Sequence, residues 1–298
     1  MNKYNLGGHS GCQIFLMEDD DGKNYVRETA KCGGFHQTST ADFSRHERLC
    51  GMDFHHYSLI AFQTKCHARI YGCRGLYFFD MEYIQGVTLA EYIKTMEIGK
   101  VKGLVEALVS SLVPQKQVSI SEEQQKLARD VFGRKLFDLR TKLPVDNEIV
   151  NYALDLLEKH NWSKLVPTQC HGDMTLENII IKDDRMYFID FLDSFYDSWF
   201  LDIGTLLQDV QVMWSYRFQN EVNMNTVLRL IVFRDLLLDE ISKIDSSYVI
   251  EIYYSLLQKL IRIYPYTEDE FTYNFLNEKT GIVLKNIKAL EEQVREGA

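Results

Sequence analysis

A chain of 298 residues can form one large domain or two lobes, with ample interior for a core. A composition of 46% hydrophobic and 26% charged residues excludes a disordered protein, and a formal charge of −10 disfavours nucleic acid, whose binders carry basic patches. No apolar run reaches the roughly 20 residues that span a bilayer, so no membrane insertion is expected.

Residues 1–8 lack the apolar core of a secretion signal. The six cysteines (12, 32, 50, 66, 73 and 170) form no Cys-x-x-Cys pair, which points to reduced thiols and a cytoplasmic location. Cys66, His67 and Cys73 with His55 and His56 do not have the spacing of a zinc finger.

In chain order, residues 1–85 read as strand-rich. Residues 13–18 and 24–27 flank the turn Asp19-Asp20-Asp21-Gly22 and predict a hairpin. Residues 41–52 carry a helical period through Phe43, Leu49 and Met52, and further strands are expected over 57–63, 68–71 and 77–82. After Gly86 most of the chain has helical periodicity. Ser121-Glu122-Glu123-Gln124 and Thr267-Glu268-Asp269-Glu270 both fit a capping box. Residues 226–244, with Val227, Leu230, Ile231, Leu237, Leu238 and Ile241, read as a buried helix, as do residues 248–263. The expected architecture is α+β and bilobal. It has an N-terminal lobe over residues 1–85, a crossover near 82–86, and a larger helical lobe over 86–298, with a ligand cleft between them.

One stretch carries chemistry. In His171-Gly172-Asp173-Met174-Thr175-Leu176-Glu177-Asn178 an Asp stands five residues before an Asn, as in a kinase catalytic loop, and Asp190 follows twelve residues after the Asn. Residues 179–181 and 186–189 read as two short strands around Lys182-Asp183-Asp184-Arg185. A hairpin centred on Asp184 sets Asn178 across from Asp190. Cβ atoms of such a pair lie roughly 4.5–5.5 Å apart. Magnesium binds oxygen at about 2.0–2.1 Å, so the pair could share an ion. Alternation then places Ile180 and Phe188 beside the ligands as an apolar floor. Taken alone, Asn178 and Asp190 read as caps of their turns, as most Asn and Asp do.

Together with Ile189-Asp190-Phe191 and the later Leu201-Asp202-Ile203-Gly204, this motif resembles the aminoglycoside phosphotransferase and choline kinase superfamily, small-molecule kinases with the protein-kinase-like fold. The longer string is similar to a branch found with bacterial surface-polysaccharide genes. The resemblance implies Asp173 as catalytic base, Asn178 and Asp190 as Mg2+ ligands, His171 as a support of the loop, and ATP or GTP as co-substrate. Asp202 is implied as a brace of the loop or a cap of its own helix. Met81, Glu82 and Ile84 would form the adenine hinge over an Ile180 floor, and Gly8, Ser10 and Gly11 would fold over the phosphates.

The resemblance also requires a phosphate-gripping cation on the third strand. No lysine stands plainly there. Arg27 is the best match and Lys31 the fallback, with Glu47 as partner, although arginine is not a conservative replacement. Acceptor-binding residues are expected among Asp193, Asp197, Trp199, Trp214 and Tyr216. Acids with aromatic faces suit an amine, a quaternary ammonium or a sugar; Arg217 would instead suit an acidic substrate. The activity so implied is phosphorylation of a hydroxyl on a small molecule such as an amino alcohol, a sugar or an aminoglycoside. The alternatives are a pseudokinase scaffold and a protein kinase, the latter disfavoured by the short interval between Asp190 and Asp202.

Overall fold

The computed structural model describes residues 3–5, 13–31, 62–63, 76–114, 119–143, 146–192, 194–219 and 221–296. Its contacts group into two compact units, Met1–Leu89 with Asn178–Asp193 and Ala90–Glu177 with Ser194–Ala298. By contacts the hairpin after Asn178 thus belongs with the N-terminal unit, not with the helices that flank it in the chain. The helix expected over 41–52 and the strand expected over 68–71 lie outside the described residues, as does most of the strand expected over 57–63.

Among its described residues the first unit holds two four-stranded sheets. Strands β1 (Lys3–Asn5), β2 (Gln13–Glu18), β3 (Asn24–Lys31) and, after the short β4 (Phe62–Gln63), β5 (Leu76–Glu82) make the first, in the order β1-β2-β3-β5. The turn between β2 and β3 has a clear local cause. The Asp19 carboxylate accepts the amides of Asp21 at 3.1 Å and Lys23 at 2.7 Å, and Gly22 takes φ +78°, a conformation that favours glycine.

The second sheet runs β4-β8-β7-β6, from β6 (Val87–Thr88), β7 (Ile179–Lys182) and β8 (Arg185–Phe188), with β4 parallel to β8. Its central hairpin corrects the expected register. Ile180 pairs with Tyr187 and Lys182 with Arg185, so the loop is the two residues Asp183 and Asp184, at φ +50° and +55°. Positive φ at both central positions is the primed turn whose twist matches that of the flanking strands, and Asp tolerates it. The centre therefore lies half a residue before the expected one. Asn178 meets Ile189, whose amide donates to the Asn178 carbonyl at 3.0 Å, and not Asp190. Ile180 accordingly shares a face with Tyr187, while Phe188 is buried opposite Ile179.

The second unit is helical among its described residues: α1 (Leu89–Thr95), α2 (Val101–Leu112), α3 (Glu122–Arg140), α4 (Glu148–Lys159), α5 (Trp199–Val210), α6 (Met224–Ile244), α7 (Tyr248–Ile263) and α8 (Glu270–Glu296). The capping box at Ser121 forms as expected, with the Gln124 amide donating to the Ser121 hydroxyl at 3.2 Å and the Ser121 amide to the Gln124 side chain at 2.9 Å. The box expected at Thr267 does not form. Helix α8 begins later, at Glu270, and it is Asp269 that accepts the Thr272 amide at 2.7 Å. Carboxylate and hydroxyl are both good caps, so local chemistry left either start open.

Helix α5 is buried at every position. A helix apolar nearly all round belongs at the centre of its unit, and the two acids that it does carry, Asp202 and Asp209, are therefore conspicuous. It packs on α7 through Gly204, where an added Cβ would lie 3.0 Å from Ser255 Cβ and 3.1 Å from the Leu256 nitrogen. In α6 the buried stripe is Leu230, Phe233, Leu237 and Ile241; Ile231, expected inside, is exposed.

Candidate active site

Side chains of α5 and α7 hold the loop of residues 170–176. Asp202 is 1% exposed, and its two oxygens accept consecutive amides, His171 at 2.6 Å and Gly172 at 2.9 Å. Of the two roles open to Asp202 in the sequence, brace or helix cap, the structure shows the brace. Seven residues on, two helical turns along the same face, Asp209 accepts the Leu176 amide at 2.7 Å and both the amide (3.0 Å) and hydroxyl (2.7 Å) of Ser215. Burial pushes the Asp209 carboxyl up to about 6, opposed by those three hydrogen bonds. His171 is buried and its Nδ1 faces the Asp173 amide at 3.3 Å, which ties the ring to the loop. Within the loop the Thr175 amide donates to the Asp173 carbonyl at 2.8 Å, and Gly172 takes φ +90°. From α7, Lys259 donates to the Gly172 carbonyl at 3.3 Å. Asp173 thus sits, half-buried, on a backbone clamped at Gly172, His171 and Leu176.

In the N-terminal unit, Asn178 is half-buried and Asp190 is exposed. Asp190 has φ +61°, so the chain turns out of the ribbon there, and strand alternation no longer sets the direction of its carboxylate. Gly86, just after the expected hinge, lies against β7: a Cβ there would be 2.5 Å from the Ile181 carbonyl oxygen and 2.7 Å from Ile180 Cγ2. Met81 and Glu82 end β5 opposite Val26 and Tyr25, and the Ile84 carbonyl accepts the Gly86 amide at 2.9 Å. Arg27 lies in the middle of β3, in register with Phe15 on one side and Asp80 on the other, its guanidinium 5.5 Å from the Tyr25 ring centre. Gly8, Ser10, Gly11 and Glu47 lie outside the described residues, as do the cysteines and histidines weighed for zinc.

The expected acceptor residues divide. Asp193 lies outside the described residues. Asp197 is exposed and accepts the thiol of buried Cys170 at 3.5 Å. Trp199 and Tyr216 are corrected to core positions. Trp199 is 2% exposed and stacked on Phe200 at 3.8 Å, and Tyr216 is 1% exposed with its hydroxyl donating to the Ala90 carbonyl at 2.7 Å. Burial, with the charges of Asp209, Glu91 and Glu177, drives the Tyr216 phenol above its ordinary range. Trp214 is half-buried, and the Arg217 guanidinium covers a face of its ring at 3.8 Å while donating to the Trp214 carbonyl at 2.9 Å. Helical spacing cannot separate an aromatic that packs from one that binds, and here packing accounts for Trp199 and Tyr216.

Two contributors to the loop escaped the sequence reading, Asp209 and Lys259. Each left a signal: an acid in an otherwise apolar helix at two turns from Asp202, and a lysine within the apolar run Leu256-Leu257-Gln258-Lys259-Leu260-Ile261.

Residues 65–228, more than half of the chain, match the phosphotransferase enzyme family. The protein belongs to that family. No curated protein matches the chain. Among solved structures it is similar in fold to a thermostable mutant of aminoglycoside phosphotransferase APH(4)-Ia in complex with ADP and hygromycin B (11% identity, TM-score 0.62, covering 95% of this chain and 93% of that one). It is similar also to choline kinase from Cryptosporidium parvum (12%, 0.57, 98% and 90%) and to amicoumacin kinase hAmiN in complex with AMP-PNP, Ca2+ and Ami (14%, 0.53, 98% and 88%). These likenesses show the protein-kinase-like fold, with its small strand-rich N-terminal part and larger helical C-terminal part.

The donor set suits a hard divalent cation. Among the described residues no group of three or more His, Cys, Asp or Glu could hold a metal. The side-chain amide of Asn178 and the carboxylate of Asp190 offer oxygen donors that would suit an ion that keeps waters and takes phosphate oxygens.

Proposed function

We propose that this phosphotransferase moves the γ-phosphoryl group of ATP, with GTP as the alternative, onto a hydroxyl group of a small molecule. The observation that carries the reading is the clamp of Asp202 on two consecutive amides, which holds the backbone immediately before Asp173. In this reading the acceptor oxygen attacks phosphorus while its proton passes to the Asp173 carboxylate. The bond from phosphorus to the bridging oxygen breaks, and ADP leaves. A positioned base contributes about 10²–10⁴-fold. Asn178 and Asp190 would hold Mg2+, which when bound neutralises charge on the phosphates. Residues 1–85 would serve as the nucleotide lobe, through Gly8, Ser10, Gly11, Arg27, Glu47, Met81, Glu82, Ile84 and Ile180, and residues 86–298 as the catalytic lobe. Of the expected acceptor residues, Asp193, Asp197 and Trp214 stay in the proposal.

An amino alcohol such as choline, a sugar or an aminoglycoside is the proposed acceptor. In support, the neighbours in fold include a choline kinase and an aminoglycoside phosphotransferase crystallised with hygromycin B, and nucleotide accompanies two of them. A cytoplasmic location belongs to the same proposal and rests on the scattered cysteines. The test is a coupled nucleotide-consumption screen with Mg2+ against amino alcohols, hexoses, amino sugars and aminoglycosides. Asp173→Ala is expected to abolish turnover and leave nucleotide binding intact; wild-type turnover in that variant removes the assigned base. One observation favours a second reading as a pseudokinase: arginine, not lysine, stands at position 27 of β3. Nucleotide binding without turnover across the whole panel would decide for it.

A further inference from the structure

Helix α7 carries a lysine where a lysine is costly. Lys259 is 2% exposed, although its long stem would ordinarily let the ammonium reach water. Its Nζ instead donates to the Gly172 carbonyl at 3.3 Å. That carbonyl belongs to the peptide joining Gly172 to Asp173, and the amide of the same peptide faces His171 Nδ1 at 3.3 Å. The preceding amide, on Gly172 itself, is taken by Asp202 at 2.9 Å.

Gly172 stands at φ +90°, and glycine is the residue with the freest backbone. Without a restraint on its carbonyl, the plane of the following peptide could rotate about the Gly172 ψ angle, and each rotation would re-aim the side chain of Asp173. Asp202 fixes one side of the glycine. Lys259 and His171 fix the other.

We propose that Lys259 is a positioning residue of the phosphoryl-transfer site, whose ammonium holds the Gly172–Asp173 peptide in one orientation and so aims the Asp173 carboxylate. The inference rests on the reading of Asp173 as the base. An ammonium is suited to this place because a charged donor makes a stronger bond to a carbonyl than a neutral one. Its burial is offset in part by the acidic groups around it. Asp173 and Cys170 on the loop and Asp202 on α5 favour the charged form, while Arg262 on α7 opposes it. Burial is the larger influence and, with Arg262, brings the amine down to about 8. Loss of the proton weakens the clamp, so its hold on the loop fades as pH rises through that value.

The test compares the full-length wild type with Lys259→Met, which keeps the stem and removes the donor. Two readings are taken: kcat and KM for Mg2+-ATP consumption, and backbone hydrogen exchange of segment 168–177. Misplacing a reacting group by about 1 Å costs on the order of 10²-fold in rate. The expected result is a kcat lower by that order, a KM for ATP near that of wild type, and faster exchange in the segment with α7 unchanged. A lysine that merely filled space would move neither. Equal exchange in the segment together with equal kcat overturns the proposal. Wild-type turnover read against pH decides it without any variant, should Lys259→Met not fold. An alkaline limb near pH 8 supports the proposal, and a flat profile from pH 7 to about 10 overturns it. A wild type without turnover would defeat the phosphotransfer reading instead, and the exchange comparison would still decide whether Lys259 holds the loop.

Discussion

The Ile189 amide donates to the Asn178 carbonyl at 3.0 Å, and this bond continues the register of the β7–β8 ribbon one step beyond its last strand pair. It makes Asp190 the first residue past the ribbon, free of strand alternation and turned by a left-handed backbone. The register depends in turn on two aspartates at positive φ. Replacing Asp184 by Val, a β-branched residue, should cost about 1–2 kcal/mol in urea unfolding. Asp184→Gly should be neutral or stabilising, because glycine is the favoured residue in such a loop. If both variants unfold at the same midpoint, the two-residue loop is wrong.

Asp202 satisfies two buried amides at once. An unsatisfied buried donor costs about 1–3 kcal/mol, so Asp202→Ala should lose up to twice that and most turnover with it. Asp202→Asn keeps one acceptor oxygen and should fall between the two. Differential scanning calorimetry paired with the nucleotide-consumption assay would show the graded series.

Gly86 has no room for a methyl group. Its Cβ would meet the Ile181 carbonyl oxygen at 2.5 Å, and backbone does not yield as a flexible side chain can. Gly86→Ala should cost about 1–3 kcal/mol. It should also raise the KM for nucleotide, because the same methyl presses on Ile180, the proposed adenine floor. An unchanged melting temperature would remove the close approach from the account.

Asp209 predicts a pH dependence with a definite sign. Its folded carboxyl titrates at about 6 against an ordinary 3.8, so between those values the folded state holds more protons than the unfolded one. Stability from this group is therefore fully present below the lower value and is lost as pH rises through the upper one. Asp209→Asn, uncharged throughout, should flatten melting temperature across pH 4–6 relative to wild type. A wild-type curve that instead rises more steeply than the variant's in that window would reverse the assignment.

What the residues alone determine here is local. Turn chemistry at Asp19 and Gly22, the box at Ser121 and the period of residues 248–263 each place an element where the structure has it, because backbone hydrogen bonding and side-chain spacing within a few residues settle those choices. The string from His171 to Asn178 likewise carries, within eight residues, the Asp-to-Asn interval of a kinase catalytic loop. The tertiary structure decided what spacing cannot express. It chose a two-residue loop where the same aspartates also allowed a three-residue one, and it buried Trp199 and Tyr216 where helical periodicity left them open to a ligand. It also brought to one loop the side chains of Asp202, Asp209 and Lys259, which are separated from their partners there by 30, 33 and 87 positions in the chain. Such contacts arise from the packing of α5 against α7, and no pattern within either helix encodes which face the other will meet.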